Sequence, residues 1–397
     1  MKIAVVGPAH IGHVRKWALF LSCRGHDVRV FTDSELPKEI DYGSVPVEVC
    51  PWSRLQSFVS FKLRPSPWAA NRDRWRVFRK PLAQFSPDVL HVHEALRTGA
   101  ILQHFPQYPS VLTPWGTDVE GLARSEGLKR ALVLRAFAFA TIVSTNAPGL
   151  EERWAAMTGV KKEKFRFFSW GVDIDTFRPR PEEEQDEARR AVGISAKSPF
   201  LLSPRRADGV RGIDRVLGAW RLVCERPSLE GAELLILRGG ADDAEWAWLQ
   251  NEAGEQKGIV LCDEFHSPDR MAALCSAARG VVMAPPKDLL ANSLLEAMAC
   301  GAPLIVPDNP CYREALCKAW TEDEQRAPAF IARDAGTEAL ADSLTKWAEC
   351  DDETLREIGV RSCKVAKERF SAKDCMPRME QALEAAIVRW KELNGRG

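Results

Sequence analysis

What the 397-residue chain lacks narrows its class first. It has no net charge, since Lys plus Arg and Asp plus Glu are both 55, and a balanced chain has no overall field to draw it onto nucleic acid or an acidic surface. Anion binding therefore has to be local. It has no run that spans a bilayer: the longest apolar stretch, residues 131–143, is interrupted by Arg135 and falls short of the ~20 residues a membrane helix needs. No C-x-x-C pair occurs among its 11 scattered cysteines, which points to reduced thiols rather than a disulfide framework. Met1 and Lys2 lead straight into an apolar run without a targeting segment, so the expected location is cytoplasmic. Neither G-x-G-x-x-G nor a Walker A run is present, which excludes a dinucleotide fingerprint and a P-loop.

What is present is alternation. Short apolar runs at residues 3–6, 28–31, 89–92, 111–113, 141–144 and 165–168 are separated by helix-like segments, and the pattern repeats at 200–202, 233–237, 259–261, 281–283, 304–306 and 329–331. Strands alternating with helices predict doubly wound parallel sheets. At ~150 residues per domain the length fits two to three domains, and the duplicated pattern predicts two similar α/β domains with a cleft between them. Residues 181–190, rich in Pro, Glu and Arg, have the composition of the linker.

Residues 280–309 organise the second half. An apolar run ends at Pro285 and Pro286, a polar loop leads into a compact helix closed by Gly301, and a further strand follows. Asp288 lies in the loop and Glu296 eight positions later on the helix, so two carboxylates can face the carboxyl end of a strand, where open α/β sheets bind ligands. Ser293 and Glu296 also have the spacing of a capping box, in which the Glu only serves a backbone N–H. Both readings stand at this level.

The pairing of Asp288, seven residues, Glu296 and then Ala297-Met298-Ala299-Cys300-Gly301-Ala302-Pro303 resembles the retaining glycosyltransferases of the GT-B fold in family 4, the glycosyl transferases group 1. The resemblance implies two Rossmann-like parallel-sheet domains facing each other across a cleft. Residues 1–180 would form the acceptor-side domain and 181–375 the nucleotide-sugar domain, with a terminal helix, about 376–397, crossing back onto the first. It implies that Glu296 holds the ribose of a nucleotide-sugar and Asp288 lies against the transferred sugar, with Asn292, Ser293 and Leu294 beside the donor. Two departures bear on sugar choice. The first acid is Asp rather than Glu, one methylene shorter, and Leu289 and Ala291 stand where small glycines are usual, which limits how closely backbone approaches a ligand.

After the first strand of the second half comes Ser203-Pro204-Arg205-Arg206-Ala207-Asp208-Gly209-Val210-Arg211-Gly212. Arg206 and Arg211 have the spacing of the family's diphosphate clamp, and Arg205 matches an Arg found in some members. Guanidinium groups suit phosphate because they stay charged and present a planar fork of donors; the alternative is a plain surface arginine cluster. Gly239 ends the next strand, and Phe265 and His266 follow the one after, where the family's nucleobase stacks.

In the first half, the turn from Gly7 to His13 can bring backbone N–H groups to a phosphate. The resemblance puts it near donor and acceptor, with Gly12 allowing close approach and His10 and His13 as donors or as solvated loop histidines. His91 and His93, two apart on a strand, point to one face; without nearby acidic or thiol ligands they read as core or lining residues rather than a metal site. Trp115 replaces a His that contacts the donor sugar in many members, and Asp118 remains as a catalytic candidate. Asp173 and Asp175 read as part of a structural turn, with a metal pair as the alternative.

Between Arg54 and Lys80 the chain is basic and aromatic: Arg54, Lys62, Arg64, Arg72, Arg74, Arg76, Arg79 and Lys80 against Asp73, with Phe58, Phe61, Trp68, Trp75 and Phe78 interleaved. This fits a surface for anionic lipid at the inner membrane face or a phosphorylated acceptor, and equally a solvated helix face whose aromatics pack inward. No nucleic-acid module is present. The expectation is a retaining, metal-independent hexosyltransferase without cofactor, moving a sugar from a nucleotide-diphospho-sugar, UDP favoured, to a cell-envelope or lipid-linked glycan. A nucleotide-sugar epimerase on the same fold and a non-catalytic nucleotide-sugar or membrane-binding module are the alternatives.

Overall fold

The computed structural model describes residues 1–38, 40–52, 69–122, 125, 127–147, 149–195, 198–254, 256–264, 266–317 and 329–395. The chain divides into two units, residues 1–168 with 376–397, and residues 169–375. Among the described residues, the first holds a seven-stranded sheet and the second a six-stranded one.

In the first unit β1 (Lys2–Val6), β2 (Asp27–Thr32), β3 (Val47–Val49), β4 (Val89–His93), β5 (Ser110–Thr113), β6 (Ile142–Thr145) and β7 (Phe165–Phe167) are ordered β3-β2-β1-β4-β5-β6-β7. Every pairing is parallel. Ile3, Val5, Leu90, Val92, Val111 and Leu112 are fully buried, which is why these strands read as unbroken apolar runs rather than alternating ones. β3 is the strand that the pattern missed: Val47, Glu48 and Val49 sit half-exposed at the sheet edge. The helix Gly12–Cys23 buries Val14, Trp17, Ala18 and Leu21 and stops where Gly25 takes a φ of 85°, a conformation that costs glycine least.

The second unit has β8 (Phe200–Ser203), β9 (Glu233–Leu237), β10 (Ile259–Cys262), β11 (Gly280–Val282), β12 (Leu304–Pro307) and β13 (Ala329–Ala332), ordered β10-β9-β8-β11-β12-β13 and again parallel. Its core joins the sheet to Trp220, Trp246, Leu340, Leu344 and Trp347.

Residues 181–190, read as a linker, are mostly helix. Glu182–Ala191 is helical, with three glutamates in its first turn and Arg189 and Arg190 in its last. That arrangement complements the helix dipole, so a composition poor in apolar residues still supports a helix. The terminal helix is Pro377–Asn394, separate from the helix Asp352–Phe370 that precedes it. It belongs to the first unit, where Glu380 takes Arg24 and His26, both at 3.0 Å, and Trp390 donates to the Pro106 carbonyl.

Candidate active site

Strand order decides which loops meet. In the second sheet β8 and β11 are neighbours, Leu201 opposite Gly280 and Leu202 opposite Val281, and the order turns back here, with β9 on one side and β12 on the other. Parallel strands open their carboxyl ends on one edge, and such a switch point leaves a crevice. The arginine loop leaves β8 at this point, and the Asp288 loop leaves β11. Side chains 83 positions apart therefore meet: Arg205 Nη1 donates to Asp288 Oδ2.

Asp288 is held on several sides. The Tyr312 hydroxyl donates to its Oδ2 at 2.6 Å, Leu289 N–H donates to Oδ1 at 3.0 Å, and Asn309 Nδ2 donates to its carbonyl at 3.1 Å. Tyr312 is buried, and desolvation with the adjacent Asp288 carboxylate pushes its pKa well up, so it stays a donor. Leu289, in the place of a small residue, is buried, as is Leu290 beside it, and Ala291 is half-buried.

Arg206 Nε and Arg211 Nη1 both donate to Oδ2 of Asp208, while Arg211 N–H donates to Oδ1 at 2.8 Å. Asp208 caps the short turn Gly209–Arg211 in this way. Two glycines seat the loop. Gly212 has φ 77°, and a Cβ there would lie 1.9 Å from the Ala284 carbonyl oxygen; at Gly239, φ 58°, it would lie 2.9 Å from Arg206 Cα. Gly239 thus lies under the arginine loop. Asp208 and Tyr312 were not among the expected site residues; an Asp between two arginines was the available signal for the first, and nothing local marks the second.

The capping box does not form. The helix Asn292–Ala299 has Ala291 at its N-cap with no side-chain cap, and Ser293 Oγ lies 3.5 Å from Met283 Sδ. Glu296 is half-buried on the second turn, and Asn292 is the first helical residue. Leu294 is fully buried, so its side chain belongs to the core and only its backbone faces the helix start. At the other end Gly301 N–H donates to Met298 O and Ala302 N–H to Ala297 O, a Schellman closure with Gly301 at φ 77°. His266 is buried with Nε2 3.4 Å from Cys262 Sγ, and burial, then Arg270, lowers its pKa. Phe265 lies outside the described residues.

The first sheet has its own switch point between β1 and β4. Gly7 is needed there, because a Cβ would lie 2.9 Å from that of His93. His13 meets Trp115 edge to face at 5.6 Å, the Trp115 indole donates to His93 Nδ1 at 3.4 Å, and His91 and His93 are fully buried with ring centroids 4.3 Å apart. Burial, then Lys16, lowers the His13 pKa to about 4, and burial alone takes His91 to about 3; both are neutral at pH 7. His10 and Gly12 are exposed at the loop and helix start.

Asp118, expected among the reacting groups, is buried and works on backbone. Its carboxylate accepts from Ala95 N–H and, at 3.1 Å, from Trp115 N–H. It ties the loop after β5 to the loop after β4. Beside it Glu94, at φ 59°, accepts from the N–H groups of Arg97 and Thr98. Desolvation and then the neighbouring Asp118 push the Glu94 pKa up to about 8.

Of two other expectations, the structural turn at Asp173 and Asp175 stands and the reading of the basic stretch changes. Asp173 accepts from Asp175 N–H and the Thr176 hydroxyl, and Asp175 pairs with Lys373 at 2.8 Å, so this Asp-x-Asp closes a turn; among the described residues no group of three or more His, Cys, Asp or Glu is placed to hold a metal. In the basic stretch, residues 53–68 lie outside the described residues. Arg74 is buried and ion-paired with Asp33, which removes it from any membrane surface, and Phe78 packs inward. Arg76, Arg79 and Lys80 are exposed. Among the described residues no helix is long and apolar enough to cross a membrane.

Two Rossmann-like units, with cations and carboxylates gathered at the second switch point, define a GT-B glycosyltransferase. Residues 13–176 match the model of Glycosyltransferase Family 4, and residues 184–362 that of Glycosyl transferases group 1. The chain belongs to this family. Sucrose-phosphate synthase from Thermosynechococcus elongatus is similar in structure, with TM-score 0.78 and 18% identity over 98% of this chain and 99% of that one. So is Anabaena HepE in complex with UDP-glucose, with TM-score 0.74 and 16% identity over 97% of this chain and 100% of that one. At these identities the likeness speaks to the fold. In sequence, alpha-galactosylglucosyldiacylglycerol synthase of Streptococcus pneumoniae is 22% identical over 232 residues, 57% of this chain. The chain spans about half, 56%, of that relative's length.

Proposed function

We propose that the protein transfers a hexose-type sugar, with retention, from a nucleoside-diphosphate sugar to a glycan or lipid-linked acceptor. The observation that carries this reading is the convergence of Arg205, Arg206 and Arg211 on the edge of the sheet where the helix Asn292–Ala299 begins. Guanidinium forks and a helix N-terminus both attract phosphate. The arginines bind the donor diphosphate and stabilise the charge that grows on it as the glycosidic bond breaks, the electrostatic task a divalent ion performs in other transferases. Glu296, half-buried on the second turn of that helix, takes the ribose hydroxyls, and Asp288, aimed by Tyr312 and Arg205, takes a hydroxyl of the transferred sugar. We assign the acceptor to the first unit, where His10, His13 and Trp115 stand at the switch point and Asp118 positions Trp115.

The likeness to HepE in complex with UDP-glucose supports a uridine donor, and the relation to a diacylglycerol glycolipid synthase supports a lipid-linked acceptor. A thermal-shift panel of nucleotide-sugars tests the donor, since a ligand that binds only the folded state raises the midpoint. A shift with UDP-sugars, followed by release of UDP in the presence of acceptor, is the expected result. A chain that neither shifts with any nucleotide-sugar nor releases nucleotide does not have this function.

A further inference from the structure

We propose that Asp208 is the positioning residue of the diphosphate site, a built-in counter-ion that holds Arg206 and Arg211 together before any donor arrives. The inference rests on the donor-site reading and extends it to a side chain that touches no substrate.

The geometry divides the work between outside and inside. The Asp208 side chain is 0% exposed, whereas those of Arg206 and Arg211 are 42% and 25% exposed. The carboxylate is therefore sealed from ligand, and the guanidinium groups it holds are open to one. Both converge on the same oxygen, Oδ2. Two like charges do not gather on one atom without an anion between them: burial lowers the Arg211 pKa and the nearby Arg206 and Arg205 lower it further, while Asp208 opposes them. With Asp208 and Asp288 set against Arg205, Arg206 and Arg211, three cations face two carboxylates, and one positive charge remains for an incoming diphosphate. The loop cannot relax to compensate, because Gly212 lies against the Ala284 carbonyl and Gly239 under Arg206. Cations fixed beforehand stabilise a developing charge without reorganising during the reaction.

Asp208 also caps the turn Gly209–Arg211, so the test has to separate charge from cap. Asp208→Asn keeps an oxygen for the Arg211 N–H, and Asn and Ser cap as well as Asp; the lost oxygen is replaced by a donor that faces two donors. With the UDP-sugar that the wild type uses, Asp208→Asn is expected to lower kcat at least tenfold, and the affinity for UDP by less, at an unchanged far-UV CD spectrum. Asp208→Ser gives the same split if the Asn variant folds poorly. A folded variant with kcat and KM within twofold of wild type reduces Asp208 to a cap and overturns the proposal.

A second measurement needs no donor. In the full chain labelled with 15N-arginine, the Arg206 Nε–H, assigned by its absence in Arg206→Lys, is expected to exchange slowly with water in the wild type and at least tenfold faster in Asp208→Asn. Fast exchange in the wild type overturns the proposal whatever the enzyme's activity. Slow exchange, lost in the variant, in a protein that binds no nucleotide-sugar upholds the counter-ion and removes the glycosyl-transfer reading instead.

Discussion

Tyr312 donates a 2.6 Å hydrogen bond to the same Asp288 oxygen that receives Arg205. The two residues are 24 positions apart, one in the loop after β11 and the other in the helix Pro310–Cys317 after β12. A hydrogen bond to a charged group is worth about 1.5–3 kcal/mol when its partner is left buried. Tyr312→Phe is therefore expected to lower kcat roughly tenfold with little change in UDP affinity, since a tenfold effect is about 1.4 kcal/mol. Asp288→Asn should likewise reduce turnover more than donor affinity. Equal losses of turnover and nucleotide affinity in steady-state assays would count against a sugar-facing Asp288.

Glu296 caps nothing through Ser293, because the N-cap is Ala291. Losing a true cap costs ~1 kcal/mol. Glu296→Gln is expected to weaken nucleotide binding by calorimetry tenfold or more while leaving the thermal midpoint nearly in place. A lowered midpoint with unchanged affinity would show that the carboxylate is structural.

Arg206→Ala and Arg211→Ala are each expected to lower turnover by ~10²-fold, the scale seen when a preorganised charge-stabilising donor is removed. Arg211→Lys should fall between the wild type and Arg211→Ala, because lysine keeps the charge and gives up the fork. Transfer should persist in excess chelator. Activity abolished by chelation and restored by magnesium or manganese would sink the arginine mechanism.

Glu94 has a pKa of about 8 in the folded chain, raised first by burial and then by Asp118, against ~4.3 when unfolded. A raised carboxyl pKa means that the folded state holds a proton the unfolded chain has released. Its contribution to stability is complete below the unfolded pKa and is lost as pH rises through about 8. The buried histidines act oppositely, with His13 lowered to about 4 and His91 to about 3, so their effect is spent above the ordinary histidine range of ~6.5. Between roughly pH 6.5 and 8 stability should therefore fall, by about 1–2 kcal/mol at ~1.4 kcal/mol per pH unit. Glu94→Gln, which mimics the protonated form, should flatten that interval in denaturant titrations. A slope unchanged by the substitution would place the ionised carboxylate in the folded state.

Arg76, Arg79 and Lys80 are the exposed cations of the described part of the basic stretch. If they meet an anionic membrane, sedimentation with anionic vesicles should fall when all three are replaced by Ser, and salt should release the wild type, because exposed charges are screened over ~8 Å at physiological ionic strength. Equal sedimentation of wild type and variant would remove this surface from consideration.

Twelve of the strands could be read from the chain because parallel strands covered on both faces must be continuously apolar; Val281 and Val306 are fully buried. β3 could not be read, since three half-exposed edge residues leave no such run. The helix Glu182–Ala191 was hidden for a related reason: dipole-matched end charges mark it, with Ala188 alone buried.

The arginines, Asp288 and Glu296 were legible because their chemistry is carried by residue type and local spacing. What they touch was not. Which loops share an edge depends on β11 lying beside β8 rather than beside β10, the strand before it in the chain, and that is a property of the sheet. The same sheet order brings Arg205 to Asp288, and Tyr312 joins them from beyond β12. Ser293 and Glu296 have the spacing of a capping box with Ser293 as its N-cap, yet the helix begins two residues earlier, with Ala291 extended at ψ 138° as the N-cap. Asp118 looked the same in sequence whether it faced a substrate or two backbone amides; burial between two loops decided for the amides. Residue type sets which interactions a side chain can make, and the solvent exclusion and partner geometry that select among them arise only when distant segments pack.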